Sequence, residues 1–389
     1  MSYPYVVLGA GRQGVALAYD LALNGEAARI TLADVELGAA ERGVERLRAL
    51  LPNTRCAWTA ARCDVRAPDE VRQVLRGADV VISAAPYRFN VALTDAALAA
   101  GASFCDLGGN TAVVREQLSR HERAAGAGVS IVPDCGLAPG LGNSLAAHGI
   151  ATMDEPRHVH VRCGGLPQER VGPLGYKLVF NFDGLINEYS GFGEFLRAGR
   201  RVQVPTLTEV EEIEFPAPLG RCEAAVTSGG TSTCPDTYHG RLESFDYKTV
   251  RYSGHFALVR AMFELGCFDE RVVLRDQRMV EPRSVMRCLF EERLDYPDVR
   301  DLVVLRVTVA GRHGGQPRTV QYDLVDRHDD ATGFTAMERT TAFPAALVAY
   351  MQARKVITPG ARPLEVAAPA EAYFGELPAH GIRVSRSVN

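Results

Sequence analysis

The feature that most restricts this chain is a glycine-spaced turn near its start, Gly9-Ala10-Gly11-Arg12-Gln13-Gly14. It sits between an apolar run, Tyr5–Leu8, which reads as a strand, and Val15–Leu23, which reads as a helix closed by Asn24-Gly25. In that setting the first glycine permits a tight turn and the second lets backbone approach a pyrophosphate. The third allows the helix to pack closely on the strand. The pyrophosphate then lies at a helix N-terminus, where free N–H groups and the helix dipole favour negative charge. Asp34 follows the next apolar run, Ile30–Ala33, 20 residues after Gly14. A carboxylate there accepts from the adenosine ribose hydroxyls and repels a 2′-phosphate. The spacing predicts a dinucleotide site built from Gly9, Gly11, Arg12, Gln13, Gly14 and Asp34, taking NAD in preference to NADP. A glycine turn without a ligand needs neither the strand before it nor the acid after it.

The alternation continues beyond this turn. Val71–Leu75 lies in a helical stretch, Asp79–Ser83 is a buried strand, and Ala92–Ala100 is a helix closed by Gly101. Ser103–Leu107 reads as a strand, Val113–Ala125 as a helix and Val129–Pro133 as a strand. Strands alternating with helices imply βαβ units, hence an α/β fold with a doubly wound parallel sheet of the Rossmann kind over residues 1–125. From about Pro156 the texture changes. His158–Cys163, Leu178–Phe182, Glu211–Phe215 and Leu302–Val309 read as strands, and helical patterns return at Ala257–Leu265 and Glu281–Phe290. Residues 126–338 therefore read as an α+β domain for substrate binding. An amphipathic helix, Phe343–Lys355, opens the tail.

Composition removes several classes of function. A net charge of −4 over 389 residues gives no reason to expect a nucleic acid or an anionic membrane as partner. No apolar run reaches the ~18 residues a membrane span needs, and the first residues show no basic leader, so the expected location is the cytoplasm. Nine scattered cysteines include no C-x-x-C pair, which argues against disulfides and against a structural metal. The 43 basic residues include only three lysines, Lys177, Lys248 and Lys355.

Three further segments follow apolar strands and should meet at the carboxyl edge of the sheet, where open α/β sheets bind ligands. The first is Ser83-Ala84-Ala85-Pro86-Tyr87, with Ala85 and Pro86 small enough to admit a nicotinamide. The second is Asp106-Leu107-Gly108-Gly109-Asn110. The third runs from Asp134-Cys135-Gly136 to Gly142-Asn143. Tyr87, Asp106 and Asn110 are placed to face a substrate. For Asp106 a helix cap or turn role is the competing reading.

These motifs together resemble the saccharopine dehydrogenase superfamily. Gly164-Gly165-Leu166-Pro167, Tyr176-Lys177, the Gly184–Tyr189 segment, Thr227-Ser228-Gly229-Gly230 and the Tyr247–His255 segment resemble its L-lysine 6-dehydrogenase branch. That resemblance implies NAD-dependent oxidation of the ε-amine of L-lysine to allysine, which cyclises to a piperideine carboxylate. It further implies a C-terminal segment, 339–389, that returns to the Rossmann domain, a dimerisation role for the central domain, and a homodimer or larger homo-oligomer. It places Asp106 and Cys135 near the substrate. A Schiff-base-reducing enzyme of the saccharopine- or carboxynorspermidine-forming kind is the alternative within the superfamily. An NAD(H)-binding regulator without chemistry is the alternative of another class, for which the long central region is more than is needed.

The reaction has physical demands. Hydride leaves a carbon bearing nitrogen only when that nitrogen has a free lone pair, so a proton acceptor must stand near the amine. Asp106 is a candidate to hold the ammonium. Lys177 or Lys248 is a candidate base if burial lowers its pKa, and His255 is another. The α-carboxylate needs a cation, for which Arg241 and Arg251 lie in the right segment.

Overall fold

In the computed structural model, which describes residues 2–389, β1 (Tyr3–Leu8), β2 (Ala27–Asp34) and β3 (Ala57–Arg62) share a sheet with β4 (Val80–Ser83), β5 (Ser103–Asp106) and β6 (Ser130–Val132). The order is β6-β5-β4-β1-β2-β3, with the short strand Gly360–Ala361 added beyond β6, and every pairing is parallel. The sheet grows one way from β1 through β2 and the other way through β4. A crevice therefore opens at the carboxyl ends of β1 and β4. Helices cover both faces, which is why Tyr5, Val6, Val7 and Leu8 are all buried rather than alternating.

The parallel sheet runs past residue 125, because β6 pairs with β5. The expected helix Val113–Ala125 is two helices, Thr111–Leu118 and His121–Gly126. Helix Leu37–Leu50 and strand β3 carried too little apolar signal to be read. β3 is Ala-Trp-Thr-Ala-Ala-Arg, with no fully buried residue.

The second sheet contains β7 (Glu155–Pro167), β8 (Phe192–Arg197), β9 (Arg200–Pro205), β10 (Glu211–Phe215), β11 (Gly220–Val226) and β12 (Ser244–Tyr252). A small hairpin, β13 (Val272–Val273) and β14 (Met279–Val280), stands apart, and β15 (Asp301–His313) and β16 (Gln316–Arg327) complete the body. The order is β10-β11-β12-β7-β15-β16, followed by Ser385–Val388, while β8 bridges β12 and β9. β12 runs parallel to β7, and the other pairings are antiparallel. The expected strand Leu178–Phe182 is irregular chain leading into helix Phe182–Glu188, whose cap Asn181 accepts from Gly184 N at 2.7 Å. Its apolar residues Val179 and Phe182 pack into a separate core with Leu185, Phe256 and Phe290.

The tail helix is Ala336–Ala353, longer than the pattern suggested. Pro344 lies inside it, and the start is a capping box, Thr335 with Glu338. Asp301 reinforces that start by accepting from Ala336 N and Met337 N, both at 2.9 Å. The helix packs on Arg12–Asn24 and on β5. Near its end Gln352 Nε2 donates to Phe104 O and Ser130 O, both at 3.0 Å. Ser385–Val388, in contrast, joins the second sheet, so the tail serves both domains.

Asp301 is 2% exposed, so its two bonds are shielded from water. Asp301→Ala should lower stability by about 1–2 kcal/mol, the scale of a lost helix cap. Urea unfolding checks this, and an unchanged midpoint would show that Thr335 alone holds the helix start.

Candidate functional site

A cleft of about 570 Å³ opens between the two sheets. Its first wall is the carboxyl edge of the parallel sheet: Gln13, Ala84–Pro86, Tyr87, Gly108–Asn110 and Asp134. Its second wall comes from β7, helix Phe182–Glu188 and β12: Gly164, Asn187, Glu188, Tyr247, Thr249 and Arg251.

The glycine turn fits a dinucleotide. A Cβ on Gly14 would stand 1.7 Å from Gly9 O, so the helix can seat on the strand only with glycine there. A Cβ on Gly11 would meet nothing within 4 Å, which leaves open backbone where a pyrophosphate would lie. Gly11 caps helix Arg12–Asn24 without a side-chain bond, so no side chain occupies the helix N-terminus. Asp34 accepts from Ala10 N at 2.8 Å and Glu36 N at 3.0 Å, fixing its carboxylate beside this turn. Arg12 is turned away, with Nε 2.6 Å from Glu338 Oε1 and Nη2 3.2 Å from Thr335 Oγ1. It clamps the turn to the tail helix, as does Gln13 Nε2 donating to Met337 O at 3.3 Å.

Two carboxylates and one guanidinium dominate the cleft. Asp134 sits just past β6 at φ +59°, a conformation that costs a non-glycine residue energy, and is 5% exposed. Its Oδ2 accepts from Ser232 Oγ of the second domain, while Oδ1 has no hydrogen-bond partner among the described residues. Gly108 makes room for it, since a Cβ there would lie 2.2 Å from Asp134 Oδ1. Burial, then the charge of Asp106, pushes Asp134 up to about 7. Glu188 is likewise pushed up to about 7 by burial, with Arg251 opposing. Its Oε2 makes no hydrogen bond and lies 3.6 Å from Arg251 Nη2.

Residues 5–132 match the saccharopine dehydrogenase NADP binding domain, and residues 136–382 match the saccharopine dehydrogenase C-terminal domain. This chain belongs to the saccharopine dehydrogenase family. Members of the family are NAD(P)-dependent oxidoreductases. The chain is 23% identical over 378 residues to carboxynorspermidine synthase of Vibrio cholerae, covering 88% of this chain and 86% of that protein. Its fold is similar to saccharopine dehydrogenase (L-Glu forming) from Saccharomyces cerevisiae, with a TM-score of 0.78 at 19% identity over 100% of both chains.

This saccharopine dehydrogenase family member brings Gln13, Ala85, Pro86, Tyr87, Asn110 and Arg251 to the cleft. Asn110 there caps helix Thr111–Leu118, accepting from Ala112 N and Val113 N. Other candidates stand elsewhere. Lys177 Nζ donates to Tyr296 O at 2.7 Å and Val299 O at 2.8 Å, so its ammonium anchors a loop outside the cleft. Lys248 falls on the far face of β12, where it donates to Glu209 O and Glu211 Oε2. Strand parity decides this, because Tyr247, Thr249 and Arg251 take the cleft face. Arg241 lies by a surface depression, over the Tyr238 ring.

Asp106 is fully buried behind the wall and accepts from Gly108 N, Asp134 N and Gln117 Nε2. Cys135 is also buried behind it, its Sγ 3.2 Å from Val132 O. His255 is buried one layer back, between Tyr189 and Leu174 O. Glu188 and Asp134, two of the cleft's acids beside the arginine-paired Asp183, were not chosen from sequence. Both stood inside motifs already singled out, Gly184–Tyr189 and the loop after β6.

Glu188 gives a stability test with a definite sign. Its folded pKa of about 7 lies above the ordinary value of 4.5, so the stability it contributes is full below pH 4.5. That contribution is lost as pH rises through about 7. The side chain is 29% exposed, which discounts the shift to about 1–2 kcal/mol. Glu188→Gln should therefore unfold at higher temperature than the unaltered protein at about pH 9, with the difference vanishing near pH 4.5. A constant difference across that range would contradict the raised pKa.

Proposed function

We propose that this enzyme oxidises the terminal amine of L-lysine, or of an amino acid of the same shape, with NAD as coenzyme. The observation that carries the reading is the split of charged groups across the cleft. Arg251 and Glu188 sit side by side on the second domain, complementary to the α-carboxylate and α-ammonium of an amino acid. Asp134 stands alone on the coenzyme wall. An amino acid gripped by its zwitterionic head at Arg251 and Glu188 points its far end at Asp134.

Asp134 is suited to a proton at that end. Its Oδ1 makes no close hydrogen bond, the Gly109 backbone N–H being a nearby donor that favours the charged form, and Ser232 holds the other oxygen. A carboxyl group raised to about 7 is ionised in part at neutral pH and takes the proton the ammonium must lose. A nicotinamide dinucleotide bound in the adjoining crevice supplies the hydride acceptor. Loss of hydride from the ε-carbon leaves an iminium, which water converts to the aldehyde and ammonium. The small residues Ala84 and Ala85 leave the coenzyme face of this wall open.

Charge count favours this substrate over a saccharopine-type one. Saccharopine bears three carboxylates, whereas the cleft presents one buried cation, Arg251, and an exposed Arg88. The match to carboxynorspermidine synthase favours a second reading, reduction of the imine that an aldehyde and an amine form with loss of water, giving a secondary amine, for which the same groups would serve in reverse.

Incubating the purified protein with NAD and a panel of amines, while following NADH absorbance, tests the proposal. L-Lysine should turn over best. Arg251→Ala should raise its KM by about 10-fold or more with a smaller change in kcat. Asp134→Asn should lower kcat by about 100-fold or more, the usual scale for a proton acceptor, with NADH affinity unchanged. No turnover of any amine, with imine reduction instead, would give the ground to the second reading.

The coenzyme preference has its own check. Asp34 holds its carboxylate beside the glycine turn, where it would accept from the adenosine ribose hydroxyls and repel a 2′-phosphate, so NAD should exceed NADP in kcat/KM. Asp34→Ala should cut that ratio by about 10-fold or more by removing both the ribose acceptor and the repulsion. An unchanged ratio would place the discrimination elsewhere.

A further inference from the structure

Arg251 is a long side chain buried to 2% exposure, and its guanidinium is held on three sides. Nη1 donates to Val250 O at 3.0 Å, and Nε donates to the Tyr189 hydroxyl at 2.9 Å. The Tyr176 ring lies 4.9 Å from Cζ. Nη2 makes no hydrogen bond among the described residues and is the end beside Glu188 in the cleft.

Behind Tyr189 stands His255, whose hydrogen-bond polarity can be worked out atom by atom. Its Nδ1 lies 3.0 Å from Leu174 O. A carbonyl only accepts, so Nδ1 carries the hydrogen and Nε2 is bare. Nε2 is 2.9 Å from the Tyr189 hydroxyl, which must therefore donate to it. The hydroxyl oxygen then has lone pairs left for Arg251 Nε–H. If Nε2 carried the hydrogen instead, Tyr189 would receive two donors and its own hydrogen would have no acceptor. Burial, with Arg251 beside it, pushes the imidazole down to about 3, so it stays neutral.

Resting on the proposed function, we infer that Tyr189 and His255 are positioning residues that orient Arg251 so that Nη2 meets the substrate α-carboxylate. The chain Leu174 O, His255, Tyr189, Arg251 fixes every donor and acceptor in one sense. It holds the guanidinium without a second full negative charge, which would neutralise the cation intended for the substrate. Glu188 alone is the acid beside it, and Glu188 faces the cleft. The arrangement sets selectivity for amines that bear a carboxylate, and it touches neither the coenzyme turn nor Asp134.

L-Norleucine, which has the α-carboxylate and lacks the terminal amine, is the probe. Its binding to the NADH-saturated enzyme is measured by calorimetry. Tyr189→Phe and His255→Leu should each weaken it about 10-fold or more, with NADH affinity intact as the control for folding. His255→Gln, whose amide can both donate and accept, should recover most of the loss. KM for L-lysine should rise in step while kcat changes less than about threefold. Unchanged norleucine affinity in Tyr189→Phe overturns the inference and leaves the lysine reading in place. Norleucine binding that depends on Tyr189, in an enzyme that turns over no amine, supports the inference and overturns the lysine reading. An unaltered enzyme that does not bind norleucine overturns both.

Discussion

The cleft depends on one carboxylate that never reaches it. Asp106, at the end of β5, accepts at Oδ1 from Gly108 N at 2.8 Å and from Asp134 N at 3.2 Å, and at Oδ2 from Gln117 Nε2 at 2.7 Å. The loops after β5 and β6 are thereby joined at their first turns. Buried backbone N–H groups need acceptors, and at a strand end the ladder no longer supplies them. Asp106 does so for both loops at once. Asp134 follows from this, because its N–H is tied back to Asp106 while its backbone takes the left-handed conformation that turns the side chain toward Ser232. Burial raises the pKa of Asp106, and its three donors pull the other way. It is a structural acid whose neighbour becomes the cleft acid.

The nucleotide half was legible because its chemistry is written in spacing. Gly9, Gly11 and Gly14 answer to backbone geometry, and Asp34 answers to the length of one βα unit. These constraints act between residues near one another in sequence. The substrate half is assembled from β7, helix Phe182–Glu188 and β12, which meet only in three dimensions. Residue type was a poor guide there. Lys177 and Lys248 stood out because lysine is rare in this chain, yet both ammonium groups are spent on backbone carbonyls or a neighbouring glutamate. A buried ammonium with three donors is a good tie for loop carbonyls, which explains their persistence as well as catalysis would. Within Tyr247–Arg251, parity along the strand would have separated Lys248 from Arg251 had residues 244–252 been read as one strand.

Glu188 was hidden for a different reason. It ends a helix only seven residues long, and the apolar residues leading into that helix mimic a strand. Once Leu178–Phe182 is read as a strand, nothing points Glu188 anywhere. The long tail helix starts seven residues before its expected start at Phe343, at the Thr335–Glu338 capping box, and runs through Pro344. In both cases the deciding contacts are remote. Val179 and Phe182 pack with Phe256 and Phe290, and Asp301 fixes the helix start from a distant strand.

In the proposed reading, recognition and chemistry occupy different domains. The grip on the α-carbon belongs to the second sheet, and the proton acceptor and coenzyme turn belong to the first. Each half solves the same electrostatic problem, a charge in a poorly solvated place, by a different route. Apart from Glu188 at its cleft end, Arg251 is surrounded by neutral acceptors and aromatic rings, which stabilise a cation without cancelling it. Asp134 leaves one oxygen without a close hydrogen bond and is raised toward neutrality, which makes it responsive to a proton. A cation meant to bind must stay charged at every working pH, and a group meant to exchange a proton must sit near that pH. The two environments push in those opposite directions, and Ser232, reaching from one domain to Asp134 in the other, keeps the two ends in register.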